Sequence, residues 1–129
     1  MKIAIATDDG QSISAHFGRS RAYAVITVED GAVVGREIRP KAAPHLDAAP
    51  PHEETSGSHD SRAAHLRHDQ MIAPVTDCAC LIARGMGRGA YDRITSAGIR
   101  VILTDLVDPD EAALACANGR IVNLVERLH

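Results

Sequence analysis

Three groups of residues in this 129-residue chain have the types and spacing to bind a metal ion or an anion. The first is a histidine series. Five of the seven histidines, His45, His52, His59, His65 and His68, fall between positions 45 and 68, at intervals of seven, seven, six and three. Imidazole nitrogen and thiolate sulfur are the protein ligands favoured by iron, zinc, copper and iron–sulfur species. Pro50 and Pro51 forbid a helix through the first half of the series, so only His65 and His68 are expected to share a helical face. Two readings stay open: an arm that closes over an ion or cluster, or a solvated loop that is merely rich in histidine.

The second group is Cys78 and Cys80, at the head of an expected strand over 78–83. Side chains alternate along a strand, so both thiols are expected on one face, where they could supply two sulfur ligands. The pair lacks the repeated C-x-x-C of zinc and ferredoxin sites. Free cysteine is also among the most buried residue types. At least one of the two is therefore expected in the core, as is Cys116 in the middle of a helix.

The third group is a pair of loops. His16-Phe17-Gly18-Arg19 follows the first expected strand, and Gly85-Met86-Gly87-Arg88-Gly89-Ala90 lies between a strand and a helix start. Glycines let backbone amides approach an anion, and the helix dipole and Arg88 would help to hold it. The run is neither G-x-G-x-x-G nor a P-loop, and a plain tight turn is the alternative. Both loops follow the carboxyl ends of strands, where open α/β sheets bind ligands, so they are expected to converge. Phe17, the only phenylalanine, is expected to anchor its loop.

The elements that must position these groups read as follows. Strands are expected over Lys2–Thr7, Tyr23–Val28 and Ala32–Ile38, with Asp30-Gly31 as a tight hairpin turn between the second and third. With no helix between them, the three are expected to be antiparallel neighbours. Residues from about 40 to 59 hold Pro40, Pro44, Pro50 and Pro51 and read as a long, mobile, exposed loop. A helix is expected from Asp60 or Ser61 to about Ile72, ended by Pro74. Then come the strand at 78–83, a helix over Ala90–Ala97 stopped by Gly98, a strand over Ile99–Thr104, and a helix opened by Asp108-Pro109 and ended by Gly119. Ile121–Leu128 forms an amphipathic tail. The alternation in the second half predicts a parallel βαβ unit, and the whole an α/β domain with a mixed sheet of five strands.

Composition narrows the function classes. The length is that of one domain, so residues 1–129 are read as a single unit. Aromatic residues make up 2% of the chain, which leaves few stacking platforms for single-stranded nucleic acid. A net charge of −3 gives no basic footprint for nucleic acid or a membrane surface. No apolar run approaches the roughly 18–20 residues needed to span a bilayer, and the N-terminus reads as a strand, not a signal peptide. Three cysteines, with Cys78 and Cys80 too close for an easy disulfide, favour a reducing cytoplasm.

The segments IAIATDDG and HFGRS, a Pro/His stretch, then DCACLIARGMGRGAYDRITSAGI occur in this order from Met1 to about Gly119. This pattern resembles the dinitrogenase iron–molybdenum cofactor biosynthesis family (NifX/NafY-like, and the C-terminal domain type of NifB). The resemblance implies a ribonuclease-H-like, three-layer fold. It also implies a binding or carrier protein, not an enzyme, for an iron–sulfur or iron–molybdenum–sulfur cluster or its precursor in cofactor assembly or storage. His16, Phe17, Gly18, Arg19, Gly85, Met86, Gly87, Arg88 and Gly89 would face the cluster. The candidate metal ligands are His16, His45, His52, His59, Cys78 and Cys80. The partners implied are proteins that donate or accept the cluster, with the chain a monomer or weak homodimer. Two other readings stand beside it. One is a regulatory or interaction domain binding a single Zn²⁺ or Ni²⁺ through loop histidines. The other is a metal-dependent phosphoesterase using Asp8, Asp9, Asp77 and Asp105, which would have to hold two Mg²⁺ about 4 Å apart.

Overall fold

The computed structural model describes residues 1–41 and 72–128. The five clustered histidines, the expected loop beyond residue 41 and the expected helix from Asp60 or Ser61 lie outside the described residues.

β1 (Lys2–Thr7), β2 (Ala22–Glu29) and β3 (Ala32–Pro40) form an antiparallel meander. Asp30 and Gly31 turn the hairpin at φ 55° and 78°, the left-handed pair that a two-residue turn between twisted strands requires. β4 (Cys80–Ala83) lies parallel to β1, and β5 (Arg100–Leu103) parallel to β4, giving the order β3-β2-β1-β4-β5. Two helices of nine residues complete the described regular structure: α1 (Arg88–Ser96) between β4 and β5, and α2 (Pro109–Ala117) after β5. Asp108 caps α2 by accepting the Asp110 N–H, and Pro109 occupies the first turn, where its missing N–H costs nothing.

Alternation along the strands divides the core in two. Ile3, Ile5, Ile26, Ile82 and Ile102 face Ala112, Ala113 and Cys116 of α2. On the other side Ala4, Ala6, Tyr23, Leu81 and Leu103 pack with Ile94 of α1, Phe17, Val75 and Cys78. Among the described residues one helix covers each face, so the sheet is the middle of three layers. The small Ala6 lies opposite Tyr23 in the register, which leaves room for the Phe17 ring at 6.2 Å from that of Tyr23.

Two expectations need correction. β3 does not stop at Ile38: Pro40 pairs with Ala22, which an edge strand tolerates because the missing N–H faces outward, and Lys41 beyond it is buried, not part of an exposed loop. Nor do Cys78 and Cys80 share a face. β4 begins only at Cys80. Cys78 sits in a turn after Ala73–Val75, giving its N–H to Val75 O at 2.9 Å, and the turn delivers its side chain to the α1 face.

Candidate functional site

The site is assembled at the carboxyl ends of the adjacent parallel strands β1 and β4. After β1 the chain is pinned by its own acids. Asp9 accepts the N–H groups of Gln11 and Ser12, both at 2.9 Å, and these bonds lower its pKa. Asp8 accepts the Arg21 N–H at 3.1 Å, closing the base of the loop. Between these ties Phe17–Arg19 make one 3-10 turn with Phe17 driven into the core and His16, Gly18 and Arg19 left exposed. The Phe17 N–H donates to Gly85 O at 2.9 Å, and the Arg84 N–H to Ser14 O at 3.3 Å. The histidine loop and the glycine loop are thereby one rim.

On the β4 side, Gly85 and Met86 are buried. The Met86 side chain belongs to the α1-face core and its N–H donates to Arg127 O at 3.4 Å, so this residue shapes the loop from inside. Gly87 precedes α1 without a side-chain cap, and Arg88 and Gly89, exposed, form the first turn. The C-terminal tail closes the rim. Leu128 bridges to Met86, and Arg127 donates from Nη1 to Arg84 O at 3.2 Å. His16, Ala15, Arg84, Gly85, Glu126, Arg127 and Leu128 line an open cleft of about 320 Å³. That lies at the lower end of small-ligand sites, roughly 300–1,000 Å³.

The cleft carries two guanidinium groups, Arg84 and Arg127, and one carboxylate, Glu126, while Arg19 and Arg88 are exposed on the adjoining loops. Among the described residues these four arginines take part in no ion pair; the bridges are Lys2–Asp77, Arg36–Asp110, Arg39–Glu37 and Arg39–Asp77. Arg84 also carries a buried Nε with no hydrogen-bond partner. A buried donor left unmade costs about 1–3 kcal/mol, a cost that either a water or a ligand entering the cleft would remove. Neither Arg84 nor Arg127 belongs to a motif: Arg84 adjoins the glycine run, which is the signal that could have found it, whereas Arg127 arrives from the far end of the chain with no local signal.

Neither thiol reaches this rim. Cys78 is buried among apolar neighbours beside Asp77, and desolvation first, then that carboxylate, push its thiol up to about 11. Cys80 points to the α2 face, where Cys116 Sγ donates to its Sγ at 3.3 Å; this hydrogen bond draws Cys80 down to about 7 and raises Cys116. All three cysteines are free. Among the described residues no three His, Cys, Asp or Glu side chains come close enough to hold one metal ion. Asp77 accepts from Arg39 Nη1 at 2.8 Å and from Lys2 at 3.2 Å, which holds its carboxyl well below the usual range. With Asp8 and Asp9 committed to their loop, these carboxylates serve the scaffold.

Fold and rim together define a small α/β domain with a loop-built cleft at its strand ends, lined by His16, Arg84, Glu126 and Arg127. The chain belongs to the dinitrogenase iron-molybdenum cofactor family, whose model matches residues 1–119. Solved structures share the fold. The apo form of the orange protein from Desulfovibrio gigas is 14% identical, with a TM-score of 0.65 over 95% of this chain and 91% of that one. A candidate dinitrogenase of Methanocaldococcus jannaschii is 14% identical, with a TM-score of 0.61 over 96% and 94%. The protein PH0822 is 21% identical, with a TM-score of 0.59 over 96% and 95%. No curated protein sequence matches at a significant level.

Proposed function

We propose that this protein is a binding and carrier domain for an anionic iron–sulfur or iron–molybdenum–sulfur cluster, or its precursor, seated in the cleft between His16 and Arg84. One observation carries the reading: the Phe17–Gly85 hydrogen bond joins two loops into a rim where His16, Arg84 and Arg127 line one cleft, and Arg84 Nε is buried there with no hydrogen-bond partner among the described residues. A metal–sulfur cluster is a polyanion with sulfur acceptors. Charge-assisted bonds from Arg84 and Arg127 in the cleft, and from Arg19 and Arg88 on the adjoining loops, with the amides that open α1, suit it. Among the described residues His16 is the imidazole on the rim, and it supplies the ligating nitrogen.

The residues present fit such a cargo in a particular way. With Cys78 and Cys80 in the core, the cluster is held by charge, hydrogen bonds and imidazole, not by thiolates. That grip is reversible, as a carrier between assembly partners requires. The family membership supports the iron–molybdenum relation, and the sheet order supports the ribonuclease-H-like reading of the fold. Free cysteines suit a reducing compartment, the cytoplasm. No helix among the described residues is long and apolar enough to cross a membrane.

The test is anaerobic incubation with ferrous iron, sulfide and molybdate, followed by desalting, metal and sulfide analysis and visible spectroscopy. The proposal expects a charge-transfer band and stoichiometric metal in the wild type, and loss of most of both in His16→Ala. Background metal in the wild type would end it.

A further inference from the structure

Beneath the rim lies a buried cation that the binding chemistry leaves unused. Lys41 is one of only two lysines in the chain and is 1% exposed. Its Nζ donates to Phe17 O and, at 2.9 Å, to Ser20 Oγ. The same nitrogen stands 4.0 Å from the centre of the Phe17 ring and 5.8 Å from that of Tyr23. Two of the chain's three aromatic rings thus surround one ammonium. The Ser20 hydroxyl and N–H also donate to Phe17 O, at 2.8 and 3.1 Å, so a single carbonyl gathers three donors.

We propose that Lys41 is the positioning residue of the site: its ammonium clamps the Phe17–Ser20 turn and so fixes His16 and Arg19 against the glycine loop. The proposal rests on the reading of the rim as the binding site. Packing does not explain a charge here, because an apolar side chain of similar length would fill the same space without the desolvation penalty. What the ammonium adds is direction. It meets a carbonyl, a hydroxyl and an aromatic face in three directions, all belonging to one turn. That turn holds the Phe17 N–H to Gly85 O, the bond that unites the rim. The Lys41 N–H is fixed in turn to Arg21 O at 3.1 Å, so the clamp stands on the end of β3 and does not move with the loop.

Lys41→Met keeps the volume and removes the ammonium. Amide hydrogen exchange is compared in the two proteins without any ligand, and binding is then titrated with tetrathiomolybdate, a molybdenum–sulfur dianion. The expected result is exchange at least tenfold faster at Phe17 and Ser20, unchanged exchange at Leu81 and Ile102, an undiminished melting temperature, and tetrathiomolybdate affinity lowered at least tenfold. A purely structural lysine would instead lower the melting temperature and speed exchange throughout the sheet. Unchanged exchange at Phe17 and Ser20 in a folded Lys41→Met protein overturns the proposal. If Lys41→Met does not fold, Ser20→Ala, which removes one arm of the clamp, must show the same local acceleration or the proposal falls. Absence of tetrathiomolybdate binding by the wild type would count against the carrier reading, while the exchange result decides on Lys41 by itself.

Discussion

Arg84 borders the cleft just beyond the end of β4. Its Nε is buried without a partner, so Arg84→Met should leave thermal stability equal or raised by about 1 kcal/mol while cluster retention falls at least tenfold. Chemical unfolding and metal analysis of the same preparation check this, and a variant that loses stability and keeps the cluster contradicts it. Lys41 gives a second prediction, in pH. An unfolded lysine titrates near 10.4, whereas burial pulls Lys41 down to about 8, against the attraction of Asp8 in the neighbouring loop and beside the neutral Tyr23. Between these values the unfolded chain holds a proton that the folded chain has released, so this group adds stability as pH rises through the window. Cys78, held up to about 11, works in the opposite sense above its ordinary value of 9.0. The difference between wild type and Lys41→Met is therefore the quantity to read. From urea unfolding it should shift toward the wild type by roughly 2–3 kcal/mol between pH 7.5 and 10.5. A flat difference would contradict a buried ammonium. Residue-scale facts such as these were the least legible in the sequence. Lys41 next to Pro40 looks like loop, and the turn that swings Cys78 to the opposite core from Cys80 depends on contacts with Val75 that no local pattern encodes.

At the scale of elements the sequence was far more telling, because glycine, proline and capping residues act locally. Asp30-Gly31 predicts its turn, and Asp108-Pro109 the start of α2, from backbone sterics and one side-chain hydrogen bond. The boundaries of β3 and β4 moved by two residues each, since pairing across a sheet extends or trims a strand according to its neighbours. The convergence of the histidine and glycine loops followed from the parallel strands β1 and β4, but the hydrogen bond from Phe17 to Gly85 that fixes their register did not. Asp108→Ala should cost about 1 kcal/mol by removing the cap. Because α2 lies on the face away from Phe17, cluster retention should be unchanged; a parallel loss of both would show that the site depends on overall stability and not on the rim. Thermal melts and metal analysis together decide.

For the whole molecule, family membership over residues 1–119 was legible because its pattern runs in order along the chain. The closure of the cleft by Arg127 and Leu128, from the last residues described, could only be seen once the chain was folded. The histidines at 45, 52 and 59 are proposed as auxiliary ligands, with His16 as the principal one. A triple change of His45, His52 and His59 to Gln should lower cluster retention severalfold without abolishing it, as read by metal content after desalting. Complete loss would favour a domain that binds a single ion through those histidines. In the proposed function a charged rim built around His16 and Arg84 holds a metal–sulfur cluster without thiolates. Its most direct measurement is the metal and sulfide content of anaerobically reconstituted wild type, a Cys78→Ala/Cys80→Ala double variant and His16→Ala. Near-stoichiometric metal and sulfide with a visible charge-transfer band are expected in the first two, and little of either in the third. A double cysteine variant that folds but comes out empty, or a wild type with metal at background, would contradict it.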